Sequence, residues 1–340
     1  MNYKIRFISL SVLAVTCILL IRTGAVAQQS TVYTTVLSTG AFVVGAANSQ
    51  TGLFFQHPSD DTVWQHTGPT RIRAFGLAVD PAQHGKRYFI ASGNGVYRTS
   101  NSGRSWRITT GWQSAEILWV TIDPRDANTL YATTPYGIFK SNDDALTWAQ
   151  KNNGLAALPF ISSIIVDHSN SKVIYCSAED GAYVSTDAGE RWERMELSVP
   201  GIRVIAQHPR DANMLVTGTE DNGIYISRNG GATWKKSEAG IDHTTFYTIA
   251  FDPNDPNVLY AGGYVTGVYR SSDNGESWKR VNEGLTNLNI HSIAVDPTDS
   301  RRVYAASVGG GMFRTDDAGA HWRCAGLQGS EVWTVAVFPF

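Results

Sequence analysis

The alternation of apolar and polar residues repeats along most of the chain. Short runs of alternating character are separated by clusters of Gly, Pro, Asp, Asn and Ser. Alternation with period two is typical of half-buried β-strands, and such clusters are turn signals. One complete set of four strands is predicted at residues 293–297, 303–306, 311–314 and 322–324. No stretch has the period of an amphipathic helix, so the chain is predicted to be all-β.

The same set of four strands recurs at a fixed period. It begins again near Leu77, Val120, Ile164, Val204, Ile249 and Ile293. Each copy ends close to a tryptophan, and these tryptophans are 42 to 44 residues apart. Four short strands in a repeat of this length are the signature of a β-propeller blade.

A short motif, Ser/Thr-x-Asp/Asn-x-Gly-x-x-Trp, precedes the fourth strand of each copy. Its Asp/Asn, Gly and Trp positions are Asn101, Gly103 and Trp106; Asp143 and Trp148, with Ala145 in the glycine position; Asp187, Gly189 and Trp192; Asn229, Gly231 and Trp234; Asp273, Gly275 and Trp278; and Asp317, Gly319 and Trp322. Asp and Asn accept hydrogen bonds from nearby backbone N–H groups, glycine permits positive φ, and tryptophan buries a large ring. We therefore expect structural turns and no metal site.

The ends of the chain complete the ring. Residues 43–45 and 52–55 are predicted as the second and third strands of an N-terminal blade, and Trp64 marks its fourth strand. Residues 332–339 have the pattern of a first strand with no blade after them. The prediction is a seven-bladed propeller of four-stranded antiparallel blades, closed by pairing of this C-terminal strand into the N-terminal blade. In the alternative, residues 32–38 supply the first strand.

The turn motif resembles the Asp-box, or BNR repeat, over residues 32–340. Asp-box propellers occur in sialidases, sortilin-type receptors, xyloglucanase-type glycoside hydrolases and a photosystem II assembly factor. The resemblance implies that the Asp-box turns lie on the face away from the binding site. The catalytic motifs of these families are only partly present in this sequence. Arg73 follows Arg71-Ile72 where a sialidase has proline, and residues 47–52 lack the aspartate of a xyloglucanase.

The face opposite the Asp-boxes is the predicted binding face. It carries the loops between second and third strands and the loops between blades, which converge on the central channel. Aromatic rings there can stack on sugar rings, and carboxylates can bind hydroxyl groups. The candidate ligand-binding residues are Arg71, Arg73, Trp112, Tyr136, Glu179, Asp180, Glu220, Asp221, Tyr264 and Trp333.

The first 27 residues are predicted to be a secretory signal peptide. Lys4 and Arg6 precede an apolar stretch at residues 7–21, and Ala25-Val26-Ala27 fits a cleavage site. An uncleaved membrane anchor is the alternative, although this stretch is short for a membrane span. We expect an exported protein, secreted or periplasmic, without stable membrane insertion, whose residues 28–340 form one domain.

The amino-acid composition indicates a globular protein and gives no support to nucleic-acid or cofactor binding. Hydrophobic residues make up 42% of the chain and charged residues 17%, which is globular composition. The net charge of −2 does not favour nucleic-acid binding. Cys176 and Cys324 are expected to be small buried apolar residues, and no cofactor motif is present.

Three functions remain open on the sequence. The first is a monomeric binding or scaffold module for a glycan or an exported protein. The second is a glycosidase that uses acidic residues on the loop face. The third is a structural envelope or assembly factor with a shallow face and no ligand pocket.

Overall fold

The computed structural model describes residues 30–38, 51–80, 83, 86–111 and 116–339. Within these ranges the chain forms seven four-stranded antiparallel sheets and no helix. The predicted signal peptide, residues 43–45 and Trp112 lie outside the described residues. The sequence prediction of an all-β seven-bladed propeller is confirmed.

The strands run from the channel outward in each blade. Blade 1 consists of β28 (Glu331–Pro339), β1 (Ser30–Ser38), β2 (Gly52–His57) and β3 (Asp60–Thr67). Blade 2 consists of β4 (Ala74–Val79), β5 (Tyr88–Ser92), β6 (Gly95–Thr99) and β7 (Arg107–Ile108). Blade 3 consists of β8 (Trp119–Ile122), β9 (Leu130–Thr134), β10 (Gly137–Ser141) and β11 (Ala149–Gln150). Blade 4 consists of β12 (Ile161–Val166), β13 (Ile174–Ala178), β14 (Gly181–Ser185) and β15 (Glu193–Arg194).

The remaining three blades follow the same order. Blade 5 consists of β16 (Ile202–Gln207), β17 (Leu215–Thr219), β18 (Ile224–Ser227) and β19 (Lys235–Ser237). Blade 6 consists of β20 (Thr248–Phe251), β21 (Leu259–Gly263), β22 (Gly267–Ser271) and β23 (Lys279–Arg280). Blade 7 consists of β24 (Ile290–Asp296), β25 (Asp299–Ser307), β26 (Gly311–Thr315) and β27 (Arg323–Cys324).

The C-terminal strand closes the ring, as predicted. β28 pairs antiparallel with β1, from Ser30 opposite Pro339 to Ser38 opposite Glu331. It also contacts the inner strands of both neighbouring blades, β24 and β4. Successive inner strands contact one another around the whole circle, so the channel is bounded by the first strand of every blade.

The composition of blade 1 corrects one prediction. Its second strand is β1, whereas residues 43–45 were predicted to supply it. The alternative, in which residues 32–38 form the first strand, is also wrong because β28 occupies that position. β1 is suited to the second position because Val32, Thr34 and Val36 are fully buried at every other residue, between two paired strands.

The Asp-box turns are held together by their own side chains. In blade 3, the Asp143 carboxylate accepts hydrogen bonds from the Ser141 hydroxyl and the Thr147 N–H, both at 2.8 Å. The Ser141 hydroxyl accepts the N–H of Ala145 at 2.9 Å. In each of the other five boxes, the side-chain oxygen of the Asp or Asn likewise accepts the backbone N–H of the residue four positions later. Ala145 has φ 60°, the conformation that glycine supplies in the other boxes.

Five of the seven blade tryptophans donate a hydrogen bond across a junction between blades, whereas Trp106 and Trp234 donate to Gly103 and Gly231 of their own Asp-box turns. Each of the seven donates its indole N–H to a protein acceptor at 2.6–3.3 Å; these are Trp64, Trp106, Trp148, Trp192, Trp234, Trp278 and Trp322. In blade 4, for example, the acceptor is the Lys151 carbonyl of blade 3. The apolar clusters likewise combine side chains from adjacent blades, so the core lies between the sheets.

The two cysteines within the described ranges differ in burial. Cys176 is fully buried, as expected, and burial raises the pKa of its thiol. Cys324 is half-buried, and both residues are free thiols.

The Asp-box carboxylates are expected to make the free energy of unfolding fall in acid. Hydrogen bonds from the hydroxyl and the N–H of Thr147 lower the pKa of Asp143 to about 2. The carboxyl pKa in an unfolded chain is about 3.9. The ionised carboxylate therefore favours folding above about pH 4, and this contribution disappears as the pH falls toward 2. Asp143→Asn is expected to weaken the dependence of the unfolding free energy on pH, measured by urea unfolding between pH 2 and pH 6.

Asn229 provides the converse variant, because its side-chain oxygen accepts the Thr233 N–H at 2.9 Å in the same geometry. Asn229→Asp is expected to make the dependence steeper. If the wild type and both variants showed the same dependence of unfolding free energy on pH, the box carboxylates would contribute nothing to the loss of stability in acid.

Candidate functional site

One residue at the start of each inner strand is turned toward the central channel. In blade 2, Ala74 pairs with Ser92 and Gly76 pairs with Ala91, which leaves Phe75 as an extra, bulged residue. Blades 1, 4, 5 and 7 have the same register shift, and in blades 3 and 6 the corresponding residue directly precedes the inner strand. The seven residues are Phe75, Leu118, Ser162, Arg203, Tyr247, His291 and Trp333, and all of them line the channel cavity. Because a β-bulge re-aims a side chain, the repeat builds a ring of seven such residues at the channel mouth.

Hydroxyl side chains fix this ring. The Val335 N–H of blade 1 donates to the Ser292 hydroxyl of blade 7 at 3.2 Å. The Thr334 hydroxyl of blade 1 donates to the Phe75 carbonyl of blade 2 at 2.6 Å. Similar bonds join blades 4 and 5 and blades 6 and 7. These hydrogen bonds join the inner strands at four of the seven junctions between blades, which favours a preformed mouth.

The cavity has a volume of about 1200 Å³. This exceeds the roughly 300–1,000 Å³ of typical ligand pockets. Deeper along the inner strands its wall is aliphatic, and the side chains there are Ile165, Ile205, Ile249, Ile293 and Val335. We call this wall the aliphatic floor.

Four ring residues form an aromatic arc over blades 6, 7, 1 and 2. Tyr247 and His291 have ring centroids 4.9 Å apart, and His291 and Trp333 have centroids 4.2 Å apart. Trp333 continues to Phe75 at 5.8 Å in an edge-to-face arrangement. Burial lowers the pKa of His291 to about 4, so its imidazole is neutral at physiological pH.

Arg203 occupies the ring position of blade 5 and binds two glutamates. Its Nη1 donates to Glu179 Oε2 at 2.8 Å, and its Nε donates to Glu220 Oε2 at 2.7 Å. Burial lowers the pKa of Arg203, but hydrogen bonds and charge from Glu220 and Glu179 outweigh it, so the pKa is raised overall. Phe160 lies 5.9 Å from the guanidinium carbon of Arg203. The Glu179–Arg203–Glu220 triad carries one net negative charge.

Two further charged groups line the cavity. The Arg73 guanidinium lies 5.3 Å from the Phe75 ring centroid and forms no ion pair within the described ranges. The Glu116 carboxylate accepts the Tyr136 hydroxyl at 3.4 Å.

Exposed apolar side chains occur on three loops of the face that carries this mouth. Among the described residues, eight large hydrophobic side chains are exposed. Five of them lie on loops of the channel face, with exposed fractions of 39% to 73%, and they are Tyr136, Leu158, Phe160, Tyr264 and Val265. We call these five the apolar rim. Phe160 has φ 42°, an uncommon conformation for a bulky side chain.

The family comparison assigns the fold to a known group. The family model described as Sortilin, neurotensin receptor 3 matches residues 136–263 and 266–337, which is more than half of the chain. The chain belongs to the Sortilin-Vps10 family. A search of curated proteins found no match.

Solved structures resemble this Sortilin-Vps10 propeller at low sequence identity. A GH74 enzyme of Niastella koreensis is 18% identical over 86% of this chain and 55% of its own length, with a TM-score of 0.69. The GH74 xyloglucanase of Xanthomonas campestris is 18% identical over 88% and 55%, with a TM-score of 0.65. YCF48 bound to D1 peptide is 15% identical over 76% and 83%, with a TM-score of 0.61. The chain therefore spans about half the length of the two GH74 enzymes, and these likenesses concern the fold.

The sequence-predicted site residues divide into three groups. Four line the cavity, namely Arg73, Glu179, Glu220 and Trp333. Five lie on the same face outside the cavity lining, namely Arg71, Tyr136, Asp180, Asp221 and Tyr264. Trp112 lies outside the described residues. The acidic candidates have different partners, because Glu179 and Glu220 bind Arg203 whereas Asp180 accepts the Tyr183 hydroxyl at 2.6 Å.

Sequence reasoning missed most of the ring. Phe75, Arg203, Tyr247 and His291 were not among the candidates. A signal was present, since the seven ring residues are 41 to 44 residues apart, in step with the tryptophans. The bulge that turns them toward the channel has no marker of its own in the sequence.

No helix within the described residues is long and apolar enough to cross a membrane. Nor do the described residues contain a group of three or more His, Cys, Asp or Glu side chains suited to hold a metal ion.

Proposed function

We propose that this protein is an exported binding module that holds a segment of a partner protein at its channel face. The observation that carries the proposal is the apolar rim, five exposed side chains on the face that carries the mouth of the cavity. Exposed apolar side chains gathered on one face are typical of protein-binding surfaces. The three other exposed large hydrophobic residues of the described chain, Val63, Ile108 and Leu146, lie on outer strands or in an Asp-box turn.

The cavity supports binding over a purely structural role. A structural envelope protein was expected to have a shallow face, whereas the channel here holds about 1200 Å³. Apolar anchors that enter a pocket, surrounded by a contact rim, are the usual anatomy of a protein interface.

The similar proteins agree with a protein ligand. The matching family model is named for a neurotensin receptor. YCF48, whose chain is matched over 83% of its length, has been solved with a D1 peptide. By contrast, the two GH74 enzymes are matched over only 55% of their own chain length.

A glycan is the second candidate, and the aromatic arc favours it because sugar rings stack on aromatic faces. Hydrolysis of that glycan has weaker support. A glycosidase needs two carboxyl groups on either side of the scissile bond, one as acid and one as base or nucleophile. Glu179 and Glu220 instead bind the same guanidinium.

A peptide selection tests the proposal. The chain from residue 28 onward is used to select from a displayed library of random peptides, and the affinities of the enriched peptides are measured by calorimetry. Phe160→Ser and Tyr264→Ser are each expected to weaken binding roughly tenfold or more, because burial of a large apolar side chain contributes about 1.5–3 kcal/mol.

Leu146→Ser is the matched control. Leu146 is 54% exposed and Tyr264 is 58% exposed, but Leu146 lies in an Asp-box turn on the opposite face. Its substitution is expected to leave affinity unchanged. A glycan array and a sugar-release assay run beside the selection. Failure to enrich any peptide, together with glycan binding or sugar release, would contradict the proposal.

A further inference from the structure

The aromatic arc contains three polar edges that no described residue satisfies. The Trp333 indole N–H, the His291 imidazole and the Tyr247 hydroxyl make no hydrogen bond to any residue within the described ranges, although all three line the cavity. The seven blade tryptophans, in contrast, all donate their indole N–H to the protein. Since Trp and Tyr polar groups usually find partners when they are partly buried, these edges are available to a ligand.

The rings of the arc are inclined to one another. Phe75 and Trp333 have an interplanar angle of 75°, Trp333 and His291 one of 43°, and His291 and Tyr247 one of 46°. The arc therefore presents ring faces and ring edges in turn and is not a flat stacking surface. Aromatic groups prefer edge-to-face and offset contacts, so an aromatic ring can contact several members of this surface at once.

The aliphatic floor beneath the arc selects against strongly hydrated groups. Ile205, Ile249, Ile293 and Val335 are buried side chains without polar atoms. The hydroxyl groups that line the cavity beside these side chains already bond to backbone groups of neighbouring blades; they belong to Ser163, Thr248, Ser292 and Thr334. A sugar ring seated against the aliphatic side chains would lose water from its own hydroxyl groups, which is costly. A flat aromatic ring with one polar edge would lose little hydrating water in the same position.

We infer that the arc takes an aromatic side chain with a polar edge, tyrosine or tryptophan, from the partner segment. The inference rests on the proposed function, because it names the anchor residue of that segment. A tyrosine hydroxyl would accept the Trp333 indole N–H and donate to His291 or Tyr247, whereas a tryptophan indole N–H would donate only to His291 or Tyr247. In both cases the ring would pack on the aliphatic floor. Aromatic residues of this kind are frequent anchors at protein interfaces.

Small amides serve as probes without knowledge of the partner. N-acetyl-tryptophanamide, N-acetyl-tyrosinamide, N-acetyl-phenylalaninamide, N-acetyl-leucinamide and methyl β-glucopyranoside are titrated against the chain from residue 28 onward, followed by saturation-transfer NMR. The tyrosine and tryptophan amides are expected to bind. The phenylalanine amide, which lacks a polar edge, is expected to bind roughly three- to tenfold more weakly, the equivalent of one hydrogen bond. The leucine amide and the glucoside are expected to give no saturation transfer.

Variants that keep the rings separate the hydrogen bonds from the packing. His291→Phe and Tyr247→Phe retain an aromatic ring, and circular dichroism confirms that each variant is folded. Both are expected to reduce the preference for tyrosine amide over phenylalanine amide. Tyr225→Phe is the control, because Tyr225 lies in β18, the third strand of blade 5, and neither lines the cavity nor belongs to the apolar rim.

Four results would overturn the inference: equal affinity for the tyrosine and phenylalanine amides, an unchanged preference in both arc variants, tighter binding of the glucoside, or no binding of any amide. Failure here is distinguishable from failure of the proposed function. Peptides selected by the wild type and lost in the rim variants would still support a protein partner, even if the arc bound no aromatic amide.

Discussion

Removal of residues 331–340, which contain β28, is expected to abolish cooperative folding. β28 is the inner strand of blade 1, and it contacts β24 on one side and β4 on the other. Val332 and Val335 are buried in it. The truncation would leave β1 with an unpaired edge facing the channel, and an unpaired edge of this kind promotes aggregation.

The effect is large because every blade depends on its neighbours for its core. Net domain stability is only about 5–15 kcal/mol, so loss of one nine-residue strand and its interfaces exceeds what the fold can tolerate. The measurement is urea unfolding followed by tryptophan fluorescence, together with the soluble yield. The truncated chain is expected to show no cooperative transition.

A circular permutant is the control. Ser30 lies opposite Pro339 at the end of the β1–β28 ladder, so an Asn-Gly turn can join residue 339 to residue 30. The order 331–339, Asn-Gly, 30–330 restores every strand pairing and is expected to fold cooperatively. A truncated chain that unfolds with the wild-type midpoint would refute the closure argument.

Gly240→Ala is expected to destabilise the protein by roughly 3 kcal/mol, the sum of a left-handed backbone and an overpacked contact. Gly240 has φ 78°, and a Cβ at this position would lie 2.0 Å from the Trp278 carbonyl oxygen. The neighbouring Ala239 carbonyl accepts the Trp278 N–H at 2.9 Å, so the backbones of two blades meet here. Because the obstacle is backbone, a side-chain movement cannot relieve it.

Gly111→Ala is the matched control, since a Cβ there meets no atom of the described residues within 4 Å. For a domain of this size, Gly240→Ala is expected to lower the melting temperature by about 6 °C or more, and Gly111→Ala is expected to leave it nearly unchanged. The test is differential scanning calorimetry of both variants. Equal melting temperatures for the two would show that the junction between blades adapts to the added methyl group.

The regular blades were predictable because their determinants are local. An Asp or Asn side chain, a residue with positive φ (glycine in five boxes and Ala145 in the sixth) and a tryptophan occur within eight residues of one another and build the same turn each time. Blade 1 was predictable only in part. It has Trp64 but no complete motif before it, and its second strand, β1, comes from residues that were assigned elsewhere.

The candidate site was less predictable than the fold. Loop positions identified the correct face, and Glu179, Glu220, Arg73 and Trp333 do line the cavity. The sequence could not tell that the two glutamates share Arg203, because that residue comes from the inner strand of blade 5 and Glu179 from blade 4. Pairing between blades is a tertiary property.

By itself, the sequence determined the number of blades, the structure of the turns and the closing strand, since these follow from a repeated pattern and from short-range hydrogen bonds. Only the tertiary structure decided which side chains enter the channel. A bulge of one residue changes the direction of a side chain, and neighbouring blades determine which polar groups are satisfied and which remain available to a ligand. The aromatic arc of Phe75, Trp333, His291 and Tyr247 exists only because four blades meet around one axis.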